Sequence, residues 1–260
     1  MTETERLRAE LAEARQRIDD MAAAHESFLR GVSHDLRAPL RHVTSYGTLV
    51  REVLQELPGQ YPQVGEALGF LATMEQSARR MGLMLDGLQA IARAGRAPLR
   101  LEAVDLDAAV REARTELAAA EAGRAAGDVQ WDVAPHLPAV WADAGLLRQL
   151  LLQVLGNALK FTHGQPDARV AVRAAPGDVA GRVTVTVQDN GVGFDGTRAQ
   201  HLFGVFQRMH RESEFDGVGA GLALCQAIAQ RHGASISAQA APGTGCTVRL
   251  DWPAPPSAAQ

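Results

Sequence analysis

The apolar residues of this 260-residue chain change their spacing once, near Leu99. Before that point they recur at alternating steps of three and four residues, the period of a helix that buries one face. After it, short runs in which apolar and polar residues alternate are separated by helical stretches, a pattern typical of strands interleaved with helices. The spacing therefore predicts a multidomain chain of the α and α+β classes, with a helical part followed by an α/β sandwich that holds a mixed sheet.

Residues 4–32 carry a heptad repeat that is dense in Glu and Arg, and residues 1–27 are predicted to form a separate signalling helix ahead of the next domain. Such a repeat predicts a parallel coiled coil that runs into the next helix. The alternative is a solvated single helix packed on its own domain, but the sustained register favours the coiled coil. The seam positions are Leu7, Leu11, Ala14, Ile18, Met21, His25, Phe28 and Val32.

Two long amphipathic helices joined by a turn at Leu57–Pro62 are predicted over residues 28–96, because two prolines and a glycine cannot continue a helix. The apolar faces of such a hairpin are best buried as a four-helix bundle of two chains, so we expect a homodimer. Residues 97–102 are expected to be a hinge linker, 103–253 the second domain and 254–260 a frayed tail. The apolar face of the second helix comprises Val64, Leu68, Leu71, Met74, Ala78, Met81, Leu85, Leu88 and Ile91.

Composition argues against several classes of partner and compartment. The net charge of −4 gives no general case for nucleic-acid binding. No apolar window approaches the roughly 18 residues of a membrane span, and the acidic, polar start does not resemble a signal peptide. The two cysteines, Cys225 and Cys246, form no disulfide framework, so a reducing, cytoplasmic location is expected.

The stretch Phe28–Leu40 in the first helix carries a histidine and an aspartate side by side. His34 and Asp35 stand off the apolar stripe, where solvent or a partner domain can reach them. Pro39 is expected to kink this helix, because its ring clashes with the preceding turn. A lone helical histidine is usually structural, so His34 gains chemical meaning only from what the rest of the chain supplies.

The leucine-rich stretch Leu152–Thr162 contains the only lysine of the chain, Lys160. Asn157 lies three residues before it and therefore on the same helical face. An amide oxygen that can ligate Mg²⁺ and an ammonium that can meet phosphate would then point at one place. The structural alternative is an asparagine on an exposed helix face.

Two glycine-rich stretches lie further along the chain. Gln188–Phe194 follows a predicted strand directly; a tight hairpin is the structural alternative, but no alternating strand comes after it. Phe215–Leu224 has three glycines at alternate positions where a helix opens, so that backbone N–H groups could meet a phosphate. A flexible turn is the alternative there.

Together with Leu202–Arg211, these stretches resemble in order the H, N, first glycine, F and second glycine boxes of two-component sensor histidine kinases, members of the GHKL ATPase superfamily. The resemblance covers residues 28–252. Within it, the chain is somewhat similar to the kinases that follow bacterial phytochrome sensors. It departs from the family at Gln153, where a second Asn is common, and at Val218 and Ala220. It implies a dimerisation and histidine phosphotransfer domain followed by a GHKL, or Bergerat, ATP-binding fold.

For the helical domain, the resemblance implies that His34 takes a phosphoryl group from ATP. Asp35 would orient His34 and accept its other proton as general base. The phosphoryl group would then pass to an aspartate of a response regulator receiver domain, with input from an upstream sensor domain or protein. The alternative is a dimeric phosphotransfer or scaffold protein whose ATP domain binds nucleotide without turnover.

For the ATP-binding domain, the resemblance assigns Asn157 to Mg²⁺ and Lys160 to phosphate. Asp189 would accept a hydrogen bond from the adenine amino group, and Gly191 and Gly193 would let the backbone approach the nucleotide. The phosphate turn would consist of Gly217, Gly219 and Gly221.

The resemblance also assigns roles within Leu202–Arg211, whose residues taken alone would form an amphipathic helix with surface arginines. Phe203 and Phe206 would pin a mobile lid. Arg208 and Arg211 could reach the terminal phosphate, because a guanidinium matches phosphate geometry.

Overall fold

The computed structural model describes residues 16, 31–56, 61–96, 98–121, 129–211 and 214–256. The chain divides into two compact units, Met1–Arg93 and Ala94–Gln260. The predicted coiled coil lies outside the described residues, apart from Gln16, which is helical. None of the helices in the described ranges combines the length and the apolar character that crossing a bilayer requires.

The described residues of the first unit form two antiparallel helices, α1 over residues 31–55 and α2 over Pro62–Ala94. Arg37, early in α1, donates hydrogen bonds to Asp86 (2.5 Å) and Gln89 (2.9 Å), late in α2. Helix α1 continues through Pro39. Helix α2 confirms the second predicted helix. It begins at Pro62, a position that suits a residue without a backbone N–H.

The face of α1 that packs on α2 is polar or small rather than apolar. Ser33 is buried, and a Cβ atom at Gly47 would make ordinary contacts with Met74 (3.4 Å) and Glu75 (3.5 Å). A Cβ atom at Gly82 would lie 3.5 Å from Leu40, so Leu40 also lies on this face. Many large apolar side chains of the described part of this unit are exposed: Val32, Leu36, Val43, Tyr46, Leu49, Val50 and Val53 in α1, and Phe70, Met74, Met81 and Leu83 in α2.

The second unit is an α/β sandwich, which confirms the predicted mixed sheet. Its five strands lie in the order β2-β4-β5-β7-β6, with β2 and β4 parallel and every other pair antiparallel. Their bounds are β2 Gln130–Val133, β4 Arg169–Pro176, β5 Arg182–Asp189, β6 Ser235–Ala241 and β7 Gly245–Pro253. A separate two-stranded sheet pairs β1 Glu102–Val104 with β3 Val140–Ala142.

Three helices pack beside the sheet, with α4 central between α3 and α5 and also in contact with β5 and β7. Their bounds are α3 Leu106–Glu121, α4 Ala144–Thr162 and α5 Gly221–Arg231. Fully buried side chains from both layers fill the space between them, which provides the main stabilisation of the unit. They include Leu147, Leu150, Leu151, Leu155, Val170, Ile228, Leu250 and Trp252.

The start of α4 is anchored through Asp143. Its carboxylate accepts a hydrogen bond from the Leu146 N–H (3.0 Å), as an N-cap does. Its other carboxylate oxygen accepts from the Arg100 N–H (3.1 Å). The Asp143 N–H donates to His232 Nε2 (3.0 Å), which ties the start of α4 to the end of α5.

The structure differs from the sequence expectations in three places. Strands β1 and β3 were not predicted, because three residues are too few for an alternating pattern. The helix expected to open within Phe215–Leu224 begins only at the last of its three glycines, Gly221, because Gly217 and Gly219 have positive φ angles of 120° and 75°. Residues 202–211 form turns rather than an amphipathic helix, after a short 3-10 helix at Gly196–His201.

A buried ion pair sets the register of α1 against α2. Glu75 is 6% exposed and pairs with Arg51, and one of its carboxylate oxygens is buried without a hydrogen-bond partner. We expect Arg51→Ala to lower the free energy of unfolding by about 1–3 kcal/mol, because the buried Glu75 carboxylate loses its nearest cation. Chemical denaturation measures this, with the exposed Arg41→Ala on the same helix as control; equal effects of the two variants would contradict the prediction.

Candidate functional site

The site is built where the loop after β5 meets the carboxyl end of α4. The Val192 N–H donates to the Phe161 carbonyl oxygen (3.1 Å). A Cβ atom at Gly191 would lie 2.3 Å from that same oxygen, so no larger residue fits there. Gly193 has φ +60°, and its Cβ would lie 2.0 Å from the Ala241 carbonyl oxygen. The predicted glycines are therefore required where two backbones touch.

Asp189 is the last residue of β5 and is 7% exposed. Its Oδ1 accepts hydrogen bonds from the N–H groups of Gly191 (2.9 Å) and Cys246 (3.2 Å). Within the described part of the chain, Oδ2 has no hydrogen-bond partner. Burial raises the pKa of the carboxyl group, while the two backbone N–H groups oppose that shift. The site thus holds a buried carboxylate with one oxygen available to a ligand.

Gln153, Asn157 and Lys160 lie on one face of α4, and that face meets the glycine-rich turn before α5. A Cβ atom at Gly221 would lie 2.3 Å from Gln153 Oε1, and one at Gly217 would lie 3.7 Å from Lys160 Nζ. Asn157, half-buried between them, has no side-chain hydrogen bond to the described residues. The structure therefore brings together the two stretches that the sequence placed around phosphate.

The cations of the site face each other. Burial lowers the pKa of Lys160, the positive charge of Arg208 lowers it further, and Asp216 opposes both effects. Lys160 Nζ donates to the Asp216 carbonyl oxygen (3.2 Å). An anion between the two cations would relieve their repulsion and would replace lost hydration.

Arg208 ties the turn together from inside. Its guanidinium donates to the carbonyl oxygens of Phe215 (2.5 Å), Gly217 (2.6 Å) and Arg211 (3.3 Å). In this arrangement it organises the turn rather than pointing away from it. The Arg211 side chain is exposed.

The Phe206 backbone also holds the glycine-rich turn. Phe206 has φ +62°, and its N–H donates to the Gly219 carbonyl oxygen (2.9 Å). A Cβ atom at Gly219 would lie 2.5 Å from the Gln207 carbonyl oxygen, so this turn also needs a glycine. Phe203 is half-buried nearby in sequence.

Three aromatic rings in this region were not singled out by the sequence analysis. The ring centroids of Phe161, His210 and Phe215 are separated by 5.2 Å, 5.0 Å and 5.1 Å, so each ring contacts the other two. Lys160 Nζ lies 4.4 Å from the centroid of the Phe161 ring. All three residues stand inside the motif stretches, but only the folded chain shows that they meet.

His34 and Asp35 lie in the other unit, on the surface of α1. Their side chains are 85% and 81% exposed, and His34 Nδ1 lies 3.1 Å from Asp35 Oδ1. Among the described residues, the other ring nitrogen, Nε2, has no partner. The pair is therefore open to a reactant.

The backbone contact at Gly193 can be tested against a glycine with similar φ. Gly181 has φ +78°, but a Cβ atom placed on it would meet no other atom within 4 Å. We expect Gly193→Ala to destabilise the protein by about 1–3 kcal/mol more than Gly181→Ala, because only the former forces two backbones apart. Equal losses in thermal and denaturant unfolding would contradict this.

The Asp189 carboxyl group gives a pH-dependent prediction. Because its pKa is raised on folding, its contribution to stability is full below the ordinary carboxyl pKa and falls as pH rises through the raised value. Asp189→Asn keeps the acceptor oxygen for Gly191 and Cys246 but never ionises. We therefore expect the stability of this variant relative to the native chain to rise as pH increases from the ordinary carboxyl pKa of about 4.

The matched control is Asp195→Asn. The pKa of Asp195 is lowered, first by the hydrogen bond from the Thr197 hydroxyl, so its contribution to stability is present above the ordinary pKa and is lost as pH falls. Unfolding measured across the same pH range should give the opposite sign for this control. The same sign for both variants would show that burial does not govern Asp189.

Comparison with known proteins places this geometry in a family. Residues 142–256 match the family described as histidine kinase-, DNA gyrase B-, and HSP90-like ATPase. Over 95% of its length the chain is 33% identical to the sensor protein KdpD of Mycobacterium tuberculosis, and over 93% it is 30% identical to the sensor histidine kinase ZraS of Klebsiella oxytoca. It spans 28% and 48% of these two relatives, respectively.

A solved structure agrees with the sequence relatives. Full-length ShkA in complex with AMPPNP superposes with a TM-score of 0.58 at 27% identity, over 86% of this chain and 45% of that one. The fold, the glycine cradle at the end of α4 and these relatives agree with one another. The carboxy-terminal unit therefore carries an ATPase domain of the histidine kinase-, DNA gyrase B-, and HSP90-like family, and the chain is similar to sensor histidine kinases over nearly its whole length.

Proposed function

We propose that this chain is the core of a sensor histidine kinase that phosphorylates itself on His34 from Mg-ATP and passes the phosphoryl group to an aspartate of a response regulator. The observation that carries the proposal is the desolvated ammonium group of Lys160, which lies near the guanidinium of Arg208 and beside a glycine-rich turn. Such a cluster suits a triphosphate, because transfer of its terminal phosphoryl group depends mainly on positioning and on neutralisation of charge.

Each part of ATP has a matching group in the ATPase unit. The Oδ2 atom of Asp189, at the end of β5, accepts a hydrogen bond from the adenine amino group. Gly191 and Gly193 let the loop after Asp189 pack directly on the backbone at Phe161 and Ala241, which fixes that loop beside the adenine position. Lys160 and Arg208 hold the phosphates, and the N–H groups that open α5 at Gly221 face them.

The site also fits Mg²⁺ bound together with ATP. Asn157 offers a half-buried amide oxygen without a protein partner among the described residues, on the face of α4 that also carries Lys160. Magnesium prefers oxygen ligands and is usually completed by substrate phosphates and water, so a single protein ligand is sufficient. When bound, the ion would neutralise charge on the phosphates.

His34 acts as the nucleophile in this proposal. The lone pair of Nε2 forms a bond to the γ-phosphorus while the bond from that phosphorus to the ADP oxygen breaks. Asp35, 3.1 Å from Nδ1, orients the ring and takes the Nδ1 proton. The exposure of both side chains supports this role, because the triphosphate and later the receiver aspartate must both reach the same nitrogen.

The exposed apolar faces of α1 and α2 support a homodimer. Val32, Leu36 and Val43 are 37%, 49% and 38% exposed, and Tyr46 and Val50 continue the same spacing. Burying such a stripe against a second copy of this chain gives a four-helix bundle, whose hydrophobic gain grows with the apolar area removed from water. The response regulator would dock on this bundle near His34.

Autophosphorylation can be tested by labelling from γ-³²P-ATP. We expect His34→Ala to lose all acid-labile label while ATP binding is unchanged, because the acceptor nitrogen is removed without touching the nucleotide site. His42→Ala, an exposed histidine on the same helix, is the control and should be labelled normally.

Two outcomes would argue against the kinase. Acid-stable label would place the phosphoryl group on another residue type. Unlabelled native protein that still binds ATP but releases no ADP would favour the nucleotide-binding scaffold instead.

A further inference from the structure

His210 stands at the centre of contacts that join the two segments 206–211 and 214–219 to the end of α4. Its ring contacts Phe161 at the end of α4 and Phe215 on the other segment, with centroids 5.2 Å and 5.1 Å away. The backbone of Gly193, from the loop after β5, also faces the imidazole. One half-buried side chain therefore touches three separate parts of the nucleotide site.

The contacts next to His210 hold the phosphate-binding groups. Phe215, which packs on His210, offers its carbonyl oxygen to Arg208, and the adjacent Asp216 carbonyl accepts from Lys160. Gly217, the next residue, accepts from Arg208 as well. If the His210 ring were removed, Phe215 would lose one of its two ring contacts, and these three successive carbonyls would lose that support.

We propose that His210 is a positioning residue that holds the glycine-rich turn and the two cations against the end of α4, so that ATP meets an ordered site. The proposal rests on the proposed function. When a binding site is ordered in advance, the ligand does not have to supply the free energy of ordering it. His210 touches neighbouring protein groups rather than the reacting atoms.

Protonation of His210 should weaken this packing. Burial lowers the pKa of the imidazole, Glu214 opposes that shift, and the charges of Lys160 and Arg208 add to it. Glu214 is half exposed and lies 4.0 Å from Nδ1. Because the folded pKa is depressed, the packing is fully present above the ordinary histidine pKa and is lost progressively as pH falls below it.

The test is titration of the full chain with trinitrophenyl-ATP at pH 8 and at pH 5.5. The variants are His210→Ala and His210→Phe, with His201→Ala, an exposed histidine in the 3-10 helix, as control. At pH 8 we expect the Kd of His210→Ala to rise about 5–10-fold, in proportion to the ordering that the ligand must now supply. His210→Phe keeps a ring and should bind like the native chain.

Lowering the pH should change the Kd of the native chain and of His210→Phe to different extents. The Kd of the native chain and of His201→Ala should rise more than that of His210→Phe, which cannot take up a proton. Any titration of the ligand phosphates is common to all the variants and cancels in the comparison. In the kinase assay, His210→Ala should raise the KM for ATP and leave the rate at saturating ATP within about twofold.

Native-like or tighter binding by His210→Ala would overturn the proposal, as would an unchanged pH profile in His210→Phe. Trypsin cleavage after Arg208 and Arg211 without nucleotide gives a second measure, expected to be faster in His210→Ala than in His210→Phe. If the native chain fails to bind trinitrophenyl-ATP, the proposed function fails, while the trypsin comparison still decides whether His210 holds these segments in place. Equal cleavage rates would overturn the positioning role.

Discussion

The contact between the loop after β5 and the end of α4 is the constraint on which the site depends. It exists because Gly191 has no side chain to meet the Phe161 carbonyl and because the Val192 N–H bonds to that same oxygen. This contact fixes Asp189, at the end of the sheet, relative to Lys160, at the end of the helix. The two ends of the nucleotide site are therefore held by backbone geometry, which changes less than side-chain rotamers do.

The charged groups of the site are held in environments that suit a ligand better than they suit the protein alone. Asp189 is buried with one carboxyl oxygen unpartnered among the described residues, and Lys160 is desolvated near another cation. Both arrangements disfavour the charged form, as their pKa directions show. Charged groups in unfavourable environments of this kind are common at functional sites, where a chain is organised for binding rather than for maximal stability.

Much of the fold followed from periodicity, since the helices and the long strands of the sandwich bury one face each and repeat accordingly. Strands β1 and β3 escaped because their three residues carry no period. The site glycines were predictable from their motifs, whereas the direction of the Arg208 side chain was not, because its carbonyl partners come from a turn without regular structure. The His210 cluster escaped for the same reason, since ring contacts between distant segments leave no local signal.

The predicted linker, residues 97–102, is attached to the ATPase unit at its carboxyl end through Arg100. Its N–H is bonded to the carboxylate that caps α4, and two residues later the chain enters β1. The cap residue is in turn bonded to His232, whose ring packs on Trp252 in the central sheet (centroids 4.9 Å apart). The chain from Arg100 onward is therefore fixed to the start of α4 and, through His232, to the five-stranded sheet.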